Sequence, residues 1–257
     1  MRRLWLRWAL LIIFVGVLGI VFVNLGEWQL DRLAQRRERN ATTIANEQKP
    51  IRPYEQVFTH PIIDADQWQR VEARGTFDAD HQFVARYRNS GDADGFEVVT
   101  PLHTATGTVL VDRGFIPLQR GAQIPSAGPP PPTGEVTVVG HVRRNEKGRR
   151  AAITPVNNQM RLINSDAIAA TLPYPIASGY IGLLTIQPEQ QGGFQPVKLP
   201  DLSEGPHFWY AVQWFMFAAL ALAGVFVFIR GDLRVRRQER EARALPATAD
   251  PKVAATS

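Results

Sequence analysis

Late in the chain, a histidine opens a long apolar stretch: Pro206-His207-Phe208-Trp209-Tyr210-Ala211-Val212-Gln213-Trp214-Phe215. Helical spacing sets His207, Tyr210, Gln213, Trp214 and Phe217 on one face, at i,i+3 and i,i+4 separations. Pro206 suits the first position of such a helix. An imidazole at the mouth of an apolar helix can ligate haem iron, and aromatic neighbours can flank a flat ring. The same residues also suit a bilayer interface, where Trp and Tyr concentrate without any ligand role. Spacing alone leaves both readings open.

Little other chemistry is visible. The chain has no G-x-S-x-G, H-E-x-x-H, Walker A or G-x-G-x-x-G motif. Histidines 60, 81, 103, 141 and 207 never fall at i,i+4 spacing. Asp92 and Asp94 form a D-x-D between Gly91 and Gly95, which reads as a turn. With no cysteine there is no thiol catalysis, no thiolate metal site and no C-x-x-C-H haem attachment. The expectation is a protein that is not an enzyme.

The elements that must position His207 begin with two charge-free apolar runs, WALLIIFVGVLGIVFVNL over 8–25 and FWYAVQWFMFAALALAGVFVFI over 208–229. Each approaches or exceeds the roughly 20 residues that cross a hydrocarbon core. Residues 1–7 form a basic flank with three arginines, and the tail 230–257 holds seven Lys/Arg against four Asp/Glu. The middle, 26–206, carries nineteen basic and twenty acidic residues. The high pI therefore reflects membrane flanks and gives no sign of a nucleic-acid partner. Lys/Arg-rich flanks stay cytoplasmic, so both termini are expected inside and 26–206 outside. No A-x-A-like site follows the first run, which reads as an uncleaved anchor. The absence of an Arg/Ser-rich presequence favours a bacterial cell membrane over a mitochondrial one.

Residues 26–48 lack proline and continue the first helix beyond the bilayer, with Arg36-Arg37-Glu38-Arg39 as a solvated face. Lys49-Pro50 ends it. Strand texture follows at 70–77, 81–88, 95–103, 107–117, 135–144 and 178–187, with a proline-rich loop over 125–133. A short helix is predicted over 165–172, capped by Asn164 or Ser165. Residues 194–205 read as an extended lead-in to the second span. The small residues Ala218, Ala221 and Gly224 could pack closely against Gly16 and Gly19 of the first span. The tail is expected to be partly disordered, from about Ala244. The fold class is a membrane α+β protein: two transmembrane helices flanking an extracytoplasmic antiparallel β-sheet or small β-barrel.

Five motifs occur in order between the spans' outer ends. They are Leu25-Gly26-Glu27-Trp28-Gln29-Leu30-Asp31-Arg32, Val71-Glu72-Ala73-Arg74-Gly75-Thr76-Phe77 and Gly95-Phe96-Glu97-Val98-Val99-Thr100-Pro101-Leu102. Val111-Asp112-Arg113-Gly114-Phe115-Ile116-Pro117 and the His207 motif complete the set. Together they resemble the Surfeit-locus (Shy-type) family of cytochrome c oxidase assembly factors over about residues 20–230. Where that family usually reads N-R-G-W-V-P, this chain has Asp112-Arg113-Gly114-Phe115-Ile116-Pro117.

The resemblance implies a chaperone role in the respiratory chain, at insertion of haem a into the oxidase catalytic subunit. It implies haem a as a transient cofactor, with His207 on the iron and Tyr210 beside it. Gln213, Trp214, Gln29 and Arg32 complete the expected haem-binding set. The implied partners are the oxidase catalytic subunit, other assembly or haem a synthesis factors, and the lipid bilayer. Gln29 and Arg32 could meet haem propionates or merely headgroup phosphates. Trp28 is an interface anchor, while Gly75, Arg113 and Gly114 belong to the strand motifs, where Gly marks a bulge or close approach. A structural chaperone that never touches haem is the alternative. A twin-anchored sensor or enzyme lacks both an output domain and a catalytic set.

Overall fold

The computed structural model describes residues 2–91, 93–119, 121–195 and 200–244. It divides into two units: 1–38 with 203–257, and 39–202.

The first unit is built on two helices. Helix α1 spans Arg2–Glu47 and continues into the second unit, while α4 spans His207–Ala244. Both contain stretches long and apolar enough to cross a membrane, and only 11% and 6% of those stretches are buried. Outward-facing Ile13, Ile20, Leu222 and Phe226 need a lipid solvent, whereas the core helix of a soluble protein would bury them. The two helices meet through aromatics. Phe22 stacks on Trp214 at 5.7 Å and lies 5.8 Å from Phe217. Gly26 admits the Phe215 ring, which a Cβ there would meet at 2.7 Å. Ala211 and Ala218 are buried. The expected seam through Gly16, Gly19 and Gly224 does not form, since a Cβ on any of them would meet nothing within 4 Å. Interlocking rings take that seam's place. The basic tail stays helical to Ala244, well past the apolar run, with Arg236–Asp232 and Arg237–Glu241 pairs at i,i+4. The expected disorder beyond it lies outside the described residues.

The second unit is a β-barrel with additions. Its strands are β1 (Arg52–Pro53), β2 (Arg70–Phe77), β3 (Phe83–Ser90), β4 (Ala93–Thr104), β5 (Gly107–Pro117), β6 (Glu135–Arg143), β7 (Gln159–Met160) and β8 (Tyr180–Gln187). The order is β1-β2-β6-β8-β5-β4-β3-β7, and a further β2–β4 pairing closes β2, β6, β8, β5 and β4 into a ring. Closure removes the two edges that an open sheet would expose.

Gly75 sits at that closure, paired with Val136 on one side and Thr104 on the other. A Cβ on Gly75 would collide with the His103 carbonyl. The barrel is not purely antiparallel, as was expected: β5 and β8 run parallel, as do β1–β2 and β3–β7. For β5–β8 and β3–β7 the cause is the long excursion between β6 and β8, which holds α2 (Arg150–Ile153), β7 and α3 (Ser165–Ala169). A parallel neighbour requires such a crossover.

Inside the ring, Val71, Phe77, Leu102, Val109, Val111, Val138 and Ile181 form one core cluster. On the opposite face of β3–β5, Phe83, Val99 and Leu110 pack against Met160, Ile163 and Ile168. Strand β5 is therefore covered on both faces, which accounts for its nearly continuous buried run. Helix α3 is capped by Asn164, whose side chain accepts from Ala167 N. His81 lies in a 3-10 turn, Ala79–His81, just ahead of β3 and outside the strand expected there. Asp78 caps that turn.

Candidate functional site

The site assembles where α1 passes the start of α4, within the first unit. Gly205, at φ +67°, turns the chain into α4, and a Cβ there would meet Arg36 Nη1 at 3.4 Å and His207 Cδ2 at 3.6 Å. Pro206 stands one residue ahead of the helix, with its carbonyl accepting from Tyr210 N at 3.1 Å. That places His207 in the first turn.

His207 is half-buried, and its Nδ1 lies 2.8 Å from Gln29 Oε1. With the Gln29 amide oxygen turned towards the ring, Nδ1 is the donor of this bond. In that tautomer the lone pair lies on Nε2. The partner of one ring nitrogen sets which nitrogen can take a metal. Gln29 thus fixes both the tautomer and the ring orientation.

The returning chain is clamped to α1 about two turns beyond Gln29. Arg36 donates from Nε to the Ser203 carbonyl at 2.6 Å and from Nη2 to Ser203 Oγ at 3.4 Å. Arg37 forms a two-point pair with Glu204, at 2.7 and 2.8 Å. Hydrogen bonding from Arg37 holds the Glu204 carboxyl below its usual range. The arginine run on α1 is therefore more than a solvated face, because two of its members fix the residues that lead into His207. Partners 167 positions apart leave no local signal in the sequence.

The other expected site residues sit as follows. Arg32 lies over the Trp28 ring at 5.4 Å and donates to Gln35 Oε1 at 3.3 Å. Tyr210 is exposed, while Gln213 is half-buried. Trp214 is turned into the helix–helix seam against Phe22 and Phe217. Of the expected six, the hydrogen bonds bring together only His207 and Gln29.

A cavity of about 750 Å³ lies in the second unit beside Arg113 and the segment from Leu183 to Gln195. Arg113 is almost fully buried, and each of its three guanidinium nitrogens donates a hydrogen bond to protein. Nη1 reaches Pro129 O at 2.9 Å, Nη2 reaches Pro130 O at 3.1 Å and Nε reaches Gln190 Oε1 at 3.1 Å. Phe194 stacks on it at 4.8 Å. Burial draws its pKa down to about 10, which leaves it charged at neutral pH. Arg113 ties the proline loop and the segment after β8 to the barrel, and its guanidinium edges are satisfied by protein. Gly114, at φ +125°, lets Gln195 approach, and Phe115 exchanges backbone hydrogen bonds with Gln195 at 3.0 and 2.8 Å.

The description "SURF1 family" matches residues 16–219. The chain belongs to that family. It is 31% identical over 246 residues, covering 93% of this chain and 89% of theirs, to uncharacterized SURF1-like proteins of Mycobacterium bovis and of two Mycobacterium tuberculosis strains. Family membership makes the chain a cytochrome oxidase assembly factor in general terms. The matched region takes in Gln29, Gly75, Arg113, Gly114 and His207, and so both halves of the site.

Proposed function

We propose that this SURF1-family protein holds haem a transiently at His207 and assists its insertion into the catalytic subunit of the oxidase. The observation that carries this reading is the His207–Gln29 hydrogen bond, which commits Nδ1 and leaves Nε2 as the basic nitrogen. Haem a is cargo in this reading, and its iron would supply the Lewis acid that an imidazole binds. A ligand held in one tautomer and orientation loses less entropy on binding. A histidine link without thioether bonds, in a chain lacking cysteine, is reversible, as transfer to another protein requires. Arg32 on α1 offers a cation for a propionate. The basic flanks at both ends support a topology with both termini in the bacterial cytoplasm and residues 26–206 outside the cell membrane.

The experiment is deletion of the gene in its host, followed by complementation with wild type or His207→Ala. Loss of haem a-type oxidase activity with haem a still being made, and no rescue by His207→Ala, is the expected result. Disappearance of haem a itself would point to a biosynthetic role instead. Full rescue by His207→Ala would favour a chaperone that works without haem.

A further inference from the structure

The opposite ends of the same two helices hold a second cavity, of about 470 Å³. Its mouth is charged: Arg7 comes from α1, and Arg236 and Asp232 come from α4. Its floor is apolar, made by Leu11, Phe14 and Phe228. From Arg7 to Phe14, and from Phe228 to Arg236, the helices rise by roughly 10–12 Å. The cavity therefore runs along the helix pair from a cationic end to a hydrocarbon-like end. Trp8 stands at the boundary, and the Arg236 guanidinium lies 5.9 Å from its ring. Arg236 is also paired with Asp232, at 3.4 Å, so one of the two positive charges is offset. Arg7 has no hydrogen-bond or ion-pair partner among the described residues. The mouth is thus left with one net positive charge directly above an apolar slot.

From this polarity we infer a binding site for one anionic phospholipid, with its phosphate between Arg7 and Arg236 and an acyl chain against Phe14 and Phe228. A free phosphate would have no use for the apolar floor. A zwitterionic lipid would bring its own cation towards Arg7. An anionic headgroup instead supplies the charge that Arg7 lacks, and the lipid would bridge the two helices. Basic pockets between transmembrane helices commonly take acidic lipids in this way.

The test uses the full-length protein in a neutral detergent, with native mass spectrometry and thermal unfolding as readouts. The probes are dioleoyl phosphatidylglycerol, dioleoyl phosphatidylcholine and inorganic phosphate. Phosphatidylglycerol should be retained over phosphatidylcholine by on the order of fivefold for each arginine engaged, and it should raise the unfolding temperature. Arg7→Gln and Arg236→Gln should each weaken that preference, whereas Arg237→Gln, on the solvated Glu241 pair, should keep it. Arg7→Gln removes no hydrogen bond or ion pair among the described residues, so it remains interpretable if Arg236→Gln unfolds. Equal retention of both lipids, an Arg7→Gln protein with the preference intact, or displacement of phosphatidylglycerol by millimolar phosphate would each overturn the assignment.

Discussion

Asp112 stands where the family usually has asparagine, and the structure explains how a carboxyl can replace an amide there. It is wholly enclosed and accepts a hydrogen bond from Gly114 N at 3.1 Å. Burial, reinforced by the charge of Glu97, pushes its pKa well above the ordinary value against the smaller pull of Gly114, Arg88 and Arg143. Burial raises Glu97 as well, despite its 2.7 Å pair with Arg88. Both groups bind protons more tightly when folded than when unfolded. Their contribution to stability is therefore full below about pH 4 and declines as pH rises through the folded pKa values. Asp112→Asn removes one proton-binding group and keeps an acceptor for Gly114. Urea unfolding between pH 5 and 8 should show a shallower fall for Asp112→Asn than for wild type, and a gain of about 1–3 kcal/mol at pH 8. An unchanged slope would mean that another group holds the proton.

At the scale of elements, closure of the barrel rests on Gly75, which has strands on both sides and the His103 carbonyl where a Cβ would go. Gly75→Glu must either separate β2 from β4 or bury a carboxylate. Overpacking alone costs about 1–3 kcal/mol, and an unpaired buried charge adds several more. The variant should fail to accumulate in membranes and should be cut by protease within residues 39–202. Normal yield and resistance would contradict the closure. Six of the eight strands were legible from alternation and turn residues, with bounds within about two positions of those observed, whereas β1 and β7, two residues each, are too short to carry any alternation. The closure was not legible, because a glycine in a strand marks a close approach without naming the partner. The β5–β8 pairing was hidden for a different reason: its crossover is made of short pieces that give no long helical period. His207 was legible from its place in an apolar helix, and Gln29 from the family motif. Their hydrogen bond, and the Arg36–Ser203 and Arg37–Glu204 clamp, join residues more than 160 positions apart. Only the fold brings them together.

For the whole molecule, the account requires that the His207 end of the helix pair and the Arg7–Arg236 end face opposite sides of one membrane. Reporter fusions at Ser90 and after Ser257 should report opposite compartments, with the second inside the cell; the same compartment for both would end the two-span arrangement. Within that topology the central claim is that the protein carries haem a on His207. The most direct measurement is the optical absorption spectrum of full-length protein purified from cells that make haem a, comparing wild type, His207→Ala and His81→Ala. His81 is the control because its Nδ1 already lies 2.7 Å from Asp78 Oδ2, in the 3-10 turn of the other unit. Wild type and His81→Ala should show the haem a bands at similar occupancy, and His207→Ala should insert and accumulate normally while losing most of them. Equal haem a content in wild type and His207→Ala would contradict the account.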